Sequence, residues 1–251
     1  SDPERLTQTA LEQINSNHAF RLLAEFFGET TYLHLVPQLL RYGTEPGAKV
    51  LENDPFGQGL LQRIAKTPKK QRDARIKRIE RALSLAVPLF SSLRFEQDPI
   101  TGLWHLEANF KHWRGNGAWQ REDQFSDGTL RLIGLLWALQ DGDGLLLLEE
   151  PELSLNDGIV RHIPLLIDRV LRDRKKGQWT RQVLLSTHSE SLLAEITDPE
   201  HVLLIEPGDN GSTIRPPDAS ELVLLRGGLN PAEVLLPKTR PAQLDALGLT
   251  A

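Results

Sequence analysis

Acidic side chains end one apolar stretch of this sequence, and a histidine ends another. Four leucines at positions 145–148 precede Glu149 and Glu150, and the apolar segment Gln182–Thr187 precedes His188. Two adjacent carboxylates at the end of a buried strand are costly unless a cation or a hydrogen-bonded water accompanies them. The pattern therefore predicts that the strand ends carry chemistry.

A turn of serine, aspartate and glycine opens another apolar stretch, upstream of the two acids. Ser126, Asp127 and Gly128 precede about three helical turns of apolar sequence, which the sequence DGDG at 141–144 ends. The free amides and the dipole at the start of a helix favour a bound anion. A glycine turn, two acids and a histidine at the ends of helices and strands together predict a site that handles phosphate groups.

These segments resemble, in order and spacing, the C-terminal lobe of an ABC-type ATPase of the AAA family, in its RecF, SMC and OLD-like branch. FSDGT resembles the signature motif, LLLLEEP the Walker B strand, SLN the D-loop and STHS the histidine switch. The resemblance is closest over Arg121–Ser191. It implies a P-loop NTPase fold, hydrolysis of ATP, and Mg²⁺ as the accompanying metal.

The resemblance also implies catalytic roles for the residues at the strand ends. Glu149 takes a position usually held by aspartate and would hold Mg²⁺, through a water. Glu150 would orient or deprotonate the attacking water. His188 would donate a hydrogen bond to the γ-phosphate or to that water.

Other matched residues imply a site shared by two subunits. In the resembling family, the serine and glycine matched by Ser126 and Gly128 reach ATP held by the opposite subunit. Asp127 would cap the helix and point away from the phosphate, and Asn156 would make a polar contact across subunits. We therefore expect a head-to-tail dimer, a homodimer in the simplest case, that ATP closes and hydrolysis releases.

The motif GxxxxGK[ST], whose backbone amides cradle phosphates, does not occur in the sequence. The nearest lookalike, Gly43–Lys49, has the wrong spacing, and a proline and a glutamate stand where amides should face phosphate. We interpret it as a surface turn. The sequence also contains no methionine. We therefore expect that it is part of a longer protein, that the P-loop half lies outside it, and that hydrolysis requires both halves.

Composition bounds the class of protein. Hydrophobic residues make up 39%, charged residues 25%, and the net charge is -5, as in ordinary soluble globular proteins. The absence of cysteine excludes disulfides and thiolate metal sites. No apolar run approaches the roughly 18 residues of a membrane span. We expect a cytoplasmic protein without a membrane partner.

The order of apolar segments predicts an α/β fold with a mainly parallel sheet flanked by helices. Its strands are predicted at Leu145–Leu148, Val183–Ser186 and Val202–Ile205. A helical and β-hairpin part precedes them, with hairpin strands at Leu93–Gln97 and Leu103–Phe110.

Three parts are predicted along the chain. Residues 1–120 form the helical and hairpin part of the ATPase head, 121–215 the core lobe with its motifs, and 216–251 a peripheral tail. A short strand, Thr31–Val36, is predicted in the first part. His34 within it alternates with apolar neighbours, which favours packing over ligand binding.

A basic helix is predicted at Lys69–Ala86. Its polar face could contact a DNA backbone. The alternative, which we favour because no aromatic residues interleave, is a solvated face partly paired with Asp73 and Glu80. The candidate DNA contacts are Lys69, Lys70, Arg72, Arg75 and Arg78.

Two functions remain open from the sequence. The first is ATP-dependent dimerisation and hydrolysis, serving DNA repair or phage defence. The second is a non-catalytic module of the same fold that regulates a partner nuclease or toxin. Retention of Glu150 and His188 favours the first. Gln124 and Arg131 flank the signature and could touch nucleotide or simply lie on the helix surface.

Overall fold

The computed structural model describes residues 20–42, 54–111, 118–172, 181–208 and 211–239. The lookalike turn at 43–49 lies outside these ranges. The chain divides into two compact units. The first comprises Ser1–Leu155 and Arg169–Ser186, and the second comprises Asn156–Asp168 and Thr187–Ala251.

The first unit contains both helices and strands. Its helices are α1 Arg21–Glu29, α2 Pro37–Tyr42, α3 Leu60–Lys66, α4 Lys69–Ala86 and α5 Asp127–Gln140. Its strands are β1 Thr31–Leu33, β2 Phe90–Gln97, β3 Trp104–Phe110, β4 Ala118–Arg121, β5 Leu146–Glu149 and β6 Val183–Ser186.

A parallel sheet in the order β1-β5-β6 carries the two predicted core strands. Leu148 of β5 pairs with Leu33 on one side and with Leu185 on the other. Leu146 and Leu148 are buried, as expected for the central strand of a parallel sheet. The predicted α/β class, with a parallel sheet flanked by helices, is confirmed.

Helix α5 forms much of the core of this unit. Its side chains are buried on nearly all sides, including Leu130, Ile133 and Trp137, which is typical of a core helix. Its C-terminal end is tied to the start of β5 by the buried Arg181, which donates hydrogen bonds to the carbonyl oxygens of Ala138, Asp141 and Gly144. These hydrogen bonds hold the end of α5 close to the start of β5.

Helix α4 and an antiparallel sheet, β2-β3-β4, make the helical and hairpin part. Helix α4 has the predicted bounds, and Ile76, Ile79 and Leu83 of its predicted apolar face are buried. The hairpin of β2 and β3 is confirmed, with Phe95 opposite Leu106.

The segment before α2 differs from its prediction. Strand β1 ends at Leu33, and Pro37 begins a helix as well as ending the extended segment. Proline suits the first turn of a helix, where its missing N–H is not needed. Helix α1 has no buried residue, and Leu22 and Phe27 on it are exposed.

The second unit corrects two predictions. It contains α6 Asp157–Val160, the start of α7 Ile163–Arg172, α8 Glu190–Leu193, β7 Leu204–Gly208, β8 Gly211–Arg215, α9 Ala219–Arg226 and α10 Pro231–Thr239. The strand predicted at Val202–Ile205 does not join the parallel sheet, because β7 pairs antiparallel with β8 in a local hairpin. The predicted tail instead contains α9 and α10, with Ala232 and Leu235 buried. No described helix is long and apolar enough to cross a membrane.

Candidate functional site

Glu149, the predicted metal ligand, ends β5 beside two aromatic side chains of the β1 segment. The Tyr32 hydroxyl donates a hydrogen bond to Oε2 of Glu149, and His34 Nδ1 lies 4.0 Å from Oε1. The hydrogen bond to Glu149, followed by burial, raises the pKa of Tyr32. The Glu149 side chain is 46% exposed, so its carboxylate remains open to a ligand.

The donor set around Glu149 fits a Mg²⁺ that keeps most of its ligands as water and phosphate. No group of three or more histidine, cysteine, aspartate or glutamate side chains that could hold a metal occurs within the described ranges. Mg²⁺ is commonly bound by one or two carboxylates together with substrate phosphates rather than by a protein cage. One half-exposed carboxylate at a strand end is compatible with that mode.

Glu150 adopts a left-handed backbone conformation, with φ of 41°. This conformation is unfavourable for a residue with a Cβ, and a following proline disfavours it further. The Glu150 N–H donates to the carbonyl oxygen of Ser186 at 3.1 Å, which continues the pairing with β6, and Leu153 N–H donates to the Glu150 carbonyl oxygen. The strand therefore turns sharply at Glu150, and backbone strain of this kind is concentrated at functional sites.

The predicted signature turn lies at the start of α5, but Asp127 is the first helical residue and does not cap the helix as predicted. Ser126 is the N-cap, and its Oγ accepts a hydrogen bond from Thr129 N–H at 3.2 Å. Gly128 lies against the turn that follows β5, where a Cβ on Gly128 would be 2.6 Å from the carbonyl oxygen of Ser154. The structure thus brings the predicted signature turn and the acidic turn into direct contact.

Asp127 points away from the helix start, toward two residues of α2. Its carboxylate lies 2.6 Å from Nη2 of Arg41 and accepts a hydrogen bond from Nε2 of Gln38 at 3.1 Å. Arg41 also donates to the carbonyl oxygen of Phe125 at 2.5 Å. Sequence reasoning did not identify Gln38 or Arg41, and the only signal for them was the weaker family resemblance of their segment.

Asn156 and His188 lie in the second unit. Asn156 caps α6, with Oδ1 accepting from Gly158 N–H at 2.9 Å. His188 is exposed and follows β6 by two residues, between Thr187, whose Oγ1 accepts from Ser189 N–H, and Ser189, which caps α8. Their predicted roles at the nucleotide stay predictions.

Three of the five candidate DNA contacts on the basic helix α4 have partners within the chain. The guanidinium of Arg72 stacks 4.7 Å from the Trp104 ring centre, and Arg75 pairs with Asp141 at 2.7 Å. Arg78 donates to Gln140 at 3.2 Å. The expectation of DNA contacts through these arginines stays a prediction, and each of the three side chains has a partner within the chain. Only Lys69 and Lys70 of this set are exposed without a described partner.

The chain is similar to solved heads of SMC ATPases. One, described as "Structural biochemistry of ATP-driven dimerization and DNA stimulated activation of SMC ATPases", is 15% identical with a TM-score of 0.43, covering 64% of this chain and 96% of that one. The Smc head from Pyrococcus furiosus with ScpA is 16% identical with a TM-score of 0.45, covering 63% of this chain and 38% of that one. An SmcHead bound to the C-winged helix domain of ScpA is 17% identical with a TM-score of 0.46, covering 77% of this chain and 57% of that one.

The family of the chain follows from a match over most of its length. No curated protein matches the chain. Residues 2–194 match the family described as "AAA domain, putative AbiEii toxin, Type IV TA system". The match spans the signature turn, the acidic strand and the histidine after β6, and covers well over half of the sequence. The chain therefore belongs to this family of AAA domains.

Proposed function

We propose that this chain supplies the signature and Walker B half of an ATPase that binds and hydrolyses ATP between two copies arranged head to tail. The observation that carries the proposal is the direct contact between Gly128 and Ser154, which joins the anion-favouring turn of α5 to the strained acidic turn at Glu150. A helix start packed against the turn that carries a carboxylate suits a phosphoryl group and its attacking water.

Each residue of the proposed site has a distinct task. Glu150 accepts the proton of the attacking water or orients that water. Glu149 would hold Mg²⁺, and the metal would neutralise phosphate charge. His188 donates a hydrogen bond to the γ-phosphate.

The contacts with ATP bound to the opposite copy come from α5 and the D-loop. The amides at Ser126 and Gly128 face that phosphate, and Asn156 makes a polar contact across the dimer. Because Arg41 and Gln38 hold the carboxylate of Asp127, its negative charge is kept off the anion-binding amides. The P-loop of each site comes from a segment or chain outside these 251 residues.

The test is ATP turnover as a function of protein concentration, using the full-length protein, its Glu150→Gln variant and the control Glu96→Gln on the exposed face of β2. Turnover rises faster than linearly with concentration if two copies share a site. Glu150→Gln abolishes turnover while an ATP-bound dimer accumulates in size-exclusion chromatography, and Glu96→Gln behaves as wild type. Absence of turnover in the wild type at every concentration refutes the proposal.

Coupling to DNA, in repair or phage defence, is the second part of the proposal. Lys69 and Lys70 at the start of α4 are exposed and can contact phosphate. DNA then stimulates turnover in low salt, and replacing both lysines with glutamine removes the stimulation without changing basal turnover. An unchanged response to DNA in that double variant excludes this surface.

A second candidate follows from the family description, which names a toxin of a toxin–antitoxin system. In this case the fold regulates a partner nuclease or toxin without hydrolysis. Glu150→Gln would then leave every activity of the full-length protein and its partner unchanged, which the ATPase proposal forbids.

A further inference from the structure

Arg131 lies in α5 on the face that meets the acidic turn. It follows Gly128 by three residues and Asp127 by four, so the three positions share one side of the helix. Gly128 on that side touches the carbonyl oxygen of Ser154 and the side chain of Leu155. The turn that this face covers contains Glu150 and the buried Glu152.

The guanidinium of Arg131 is half-buried but does not form an ion pair there. Its Nε is buried with no hydrogen-bond partner, and no carboxylate lies within 4.0 Å of it in the described part of the chain. Burial lowers the pKa of Arg131, whereas the negative charges of Asp127, Glu150 and Glu152 oppose that lowering. Arg131 therefore lies near three carboxylates without a described ion pair to any of them.

The nearest candidate partner is already occupied. Asp127 is paired with Arg41 at 2.6 Å and accepts from Gln38. Arg131 therefore does not pair directly with Asp127, and its charge also interacts with Glu150 and Glu152 of the acidic turn. A half-buried cation without a direct partner costs stability, and such costs are typical of functional positions.

We propose that Arg131 is a positioning residue, whose cation holds the turn that carries Glu150 in the arrangement required for hydrolysis. This inference rests on the proposed ATPase function. Arg131 acts through the acidic turn and does not itself contact nucleotide. It differs from the helix-surface role that its sequence position alone allows, because the Arg131 Nε is buried and its helix face meets the acidic turn at Gly128.

Two variants of Arg131 separate charge from helix structure. Arginine, lysine and methionine have similar helix propensities, so Arg131→Met and Arg131→Lys leave α5 intact. Arg226→Met, which removes an exposed arginine paired with Glu200, is the matched control.

The first readout is thermal unfolding of the full-length protein, which requires no ATPase activity. Removing a cation that has no direct partner leaves the unfolding midpoint of Arg131→Met equal to or above that of the wild type. A midpoint lowered by more than about 4 °C, with Arg226→Met unchanged, shows a plain structural role and overturns the inference.

The second readout is turnover by the full-length protein. Arg131→Met lowers kcat by roughly ten- to a hundredfold with KM for ATP unchanged, and Arg131→Lys retains more of kcat. In the Glu150→Gln background, Arg131→Met still gives the ATP-bound dimer. Loss of that dimer shows a contact with nucleotide or with the other copy, and overturns the positioning role.

Different results refute the ATPase proposal and the role of Arg131. If the wild type turns over ATP and Arg131→Met has the same kcat, only the role of Arg131 is refuted. If the wild type shows no turnover, the ATPase proposal falls, and the role of Arg131 falls with it.

Discussion

The backbone of Gly128 lies so close to the carbonyl oxygen of Ser154 that a Cβ on Gly128 would be 2.6 Å from that oxygen. The contact joins the first turn of α5 to the turn after β5. The backbone at Ser154 cannot move aside as the end of a flexible side chain can. Any side chain at position 128 therefore separates the two halves of the candidate site.

We expect Gly128→Ala to destabilise the protein by about 1–3 kcal/mol through overpacking. Urea denaturation measures this change. Gly28→Ala is the control, because it lies within α1 with no atom within 4 Å of its added Cβ. Alanine in an open helical position stabilises by about 0.5–1 kcal/mol, so the two variants should move in opposite directions. Equal stability of Gly128→Ala and wild type would contradict the close contact.

The pair formed by Arg41 and Asp127 should show energetic coupling. A double-mutant cycle with Arg41→Met and Asp127→Asn is expected to give a coupling free energy of about 1–2 kcal/mol, because each side chain is partly desolvated. The measurement is the free energy of unfolding of the four proteins. Additive single effects would show that the pair contributes no specific stabilisation.

The β2–β3 hairpin should respond to acid through Asp98. Hydrogen bonds from Thr101 N–H and Ile100 N–H, followed by Arg121, lower the pKa of Asp98 from 3.8 to about 2. A lowered folded-state pKa contributes stability that is present above the unfolded value and is lost as the pH falls through the folded value. Wild-type stability should therefore fall between pH 3.8 and about 2, and Asp98→Asn should fall less over that window. Parallel pH profiles of the two proteins would refute this assignment.

Arg181 should be among the costliest arginines to replace. It is 2% exposed and donates to the carbonyl oxygens of Ala138, Asp141 and Gly144. Arg181→Met leaves these acceptors unsatisfied, and we expect a loss of more than about 2 kcal/mol. Thermal unfolding beside Arg226→Met provides the comparison. A loss no larger than that of Arg226→Met would show that water replaces the guanidinium.

Local signals in the sequence predicted the elements whose structure is set locally. The bounds of α4 follow from Pro68 and a regular apolar face, and the start of α5 follows from the serine, aspartate and glycine that precede its apolar residues, although the cap is Ser126 and not Asp127. The strands β5 and β6 follow from short apolar runs that turn residues or acids end.

Local signals did not predict contacts between residues that lie far apart in the sequence. Gln38 reaches Asp127 across 89 positions, and nothing in either segment specifies the other. The burial of Arg72 and Arg75 depends on Trp104 and Asp141, which belong to distant elements. Strand β7 pairs with β8 and does not join the parallel sheet as expected. A two-residue connection closes this hairpin at little entropic cost.

The left-handed backbone at Glu150 has a consequence for engineering. Glycine adopts this conformation with little penalty, so Glu150→Gly would relieve strain while deleting the proposed base. Laboratory evolution that rewards heat resistance alone would favour this replacement. A thermostable variant of this protein obtained in that way would have lost the proposed catalytic base.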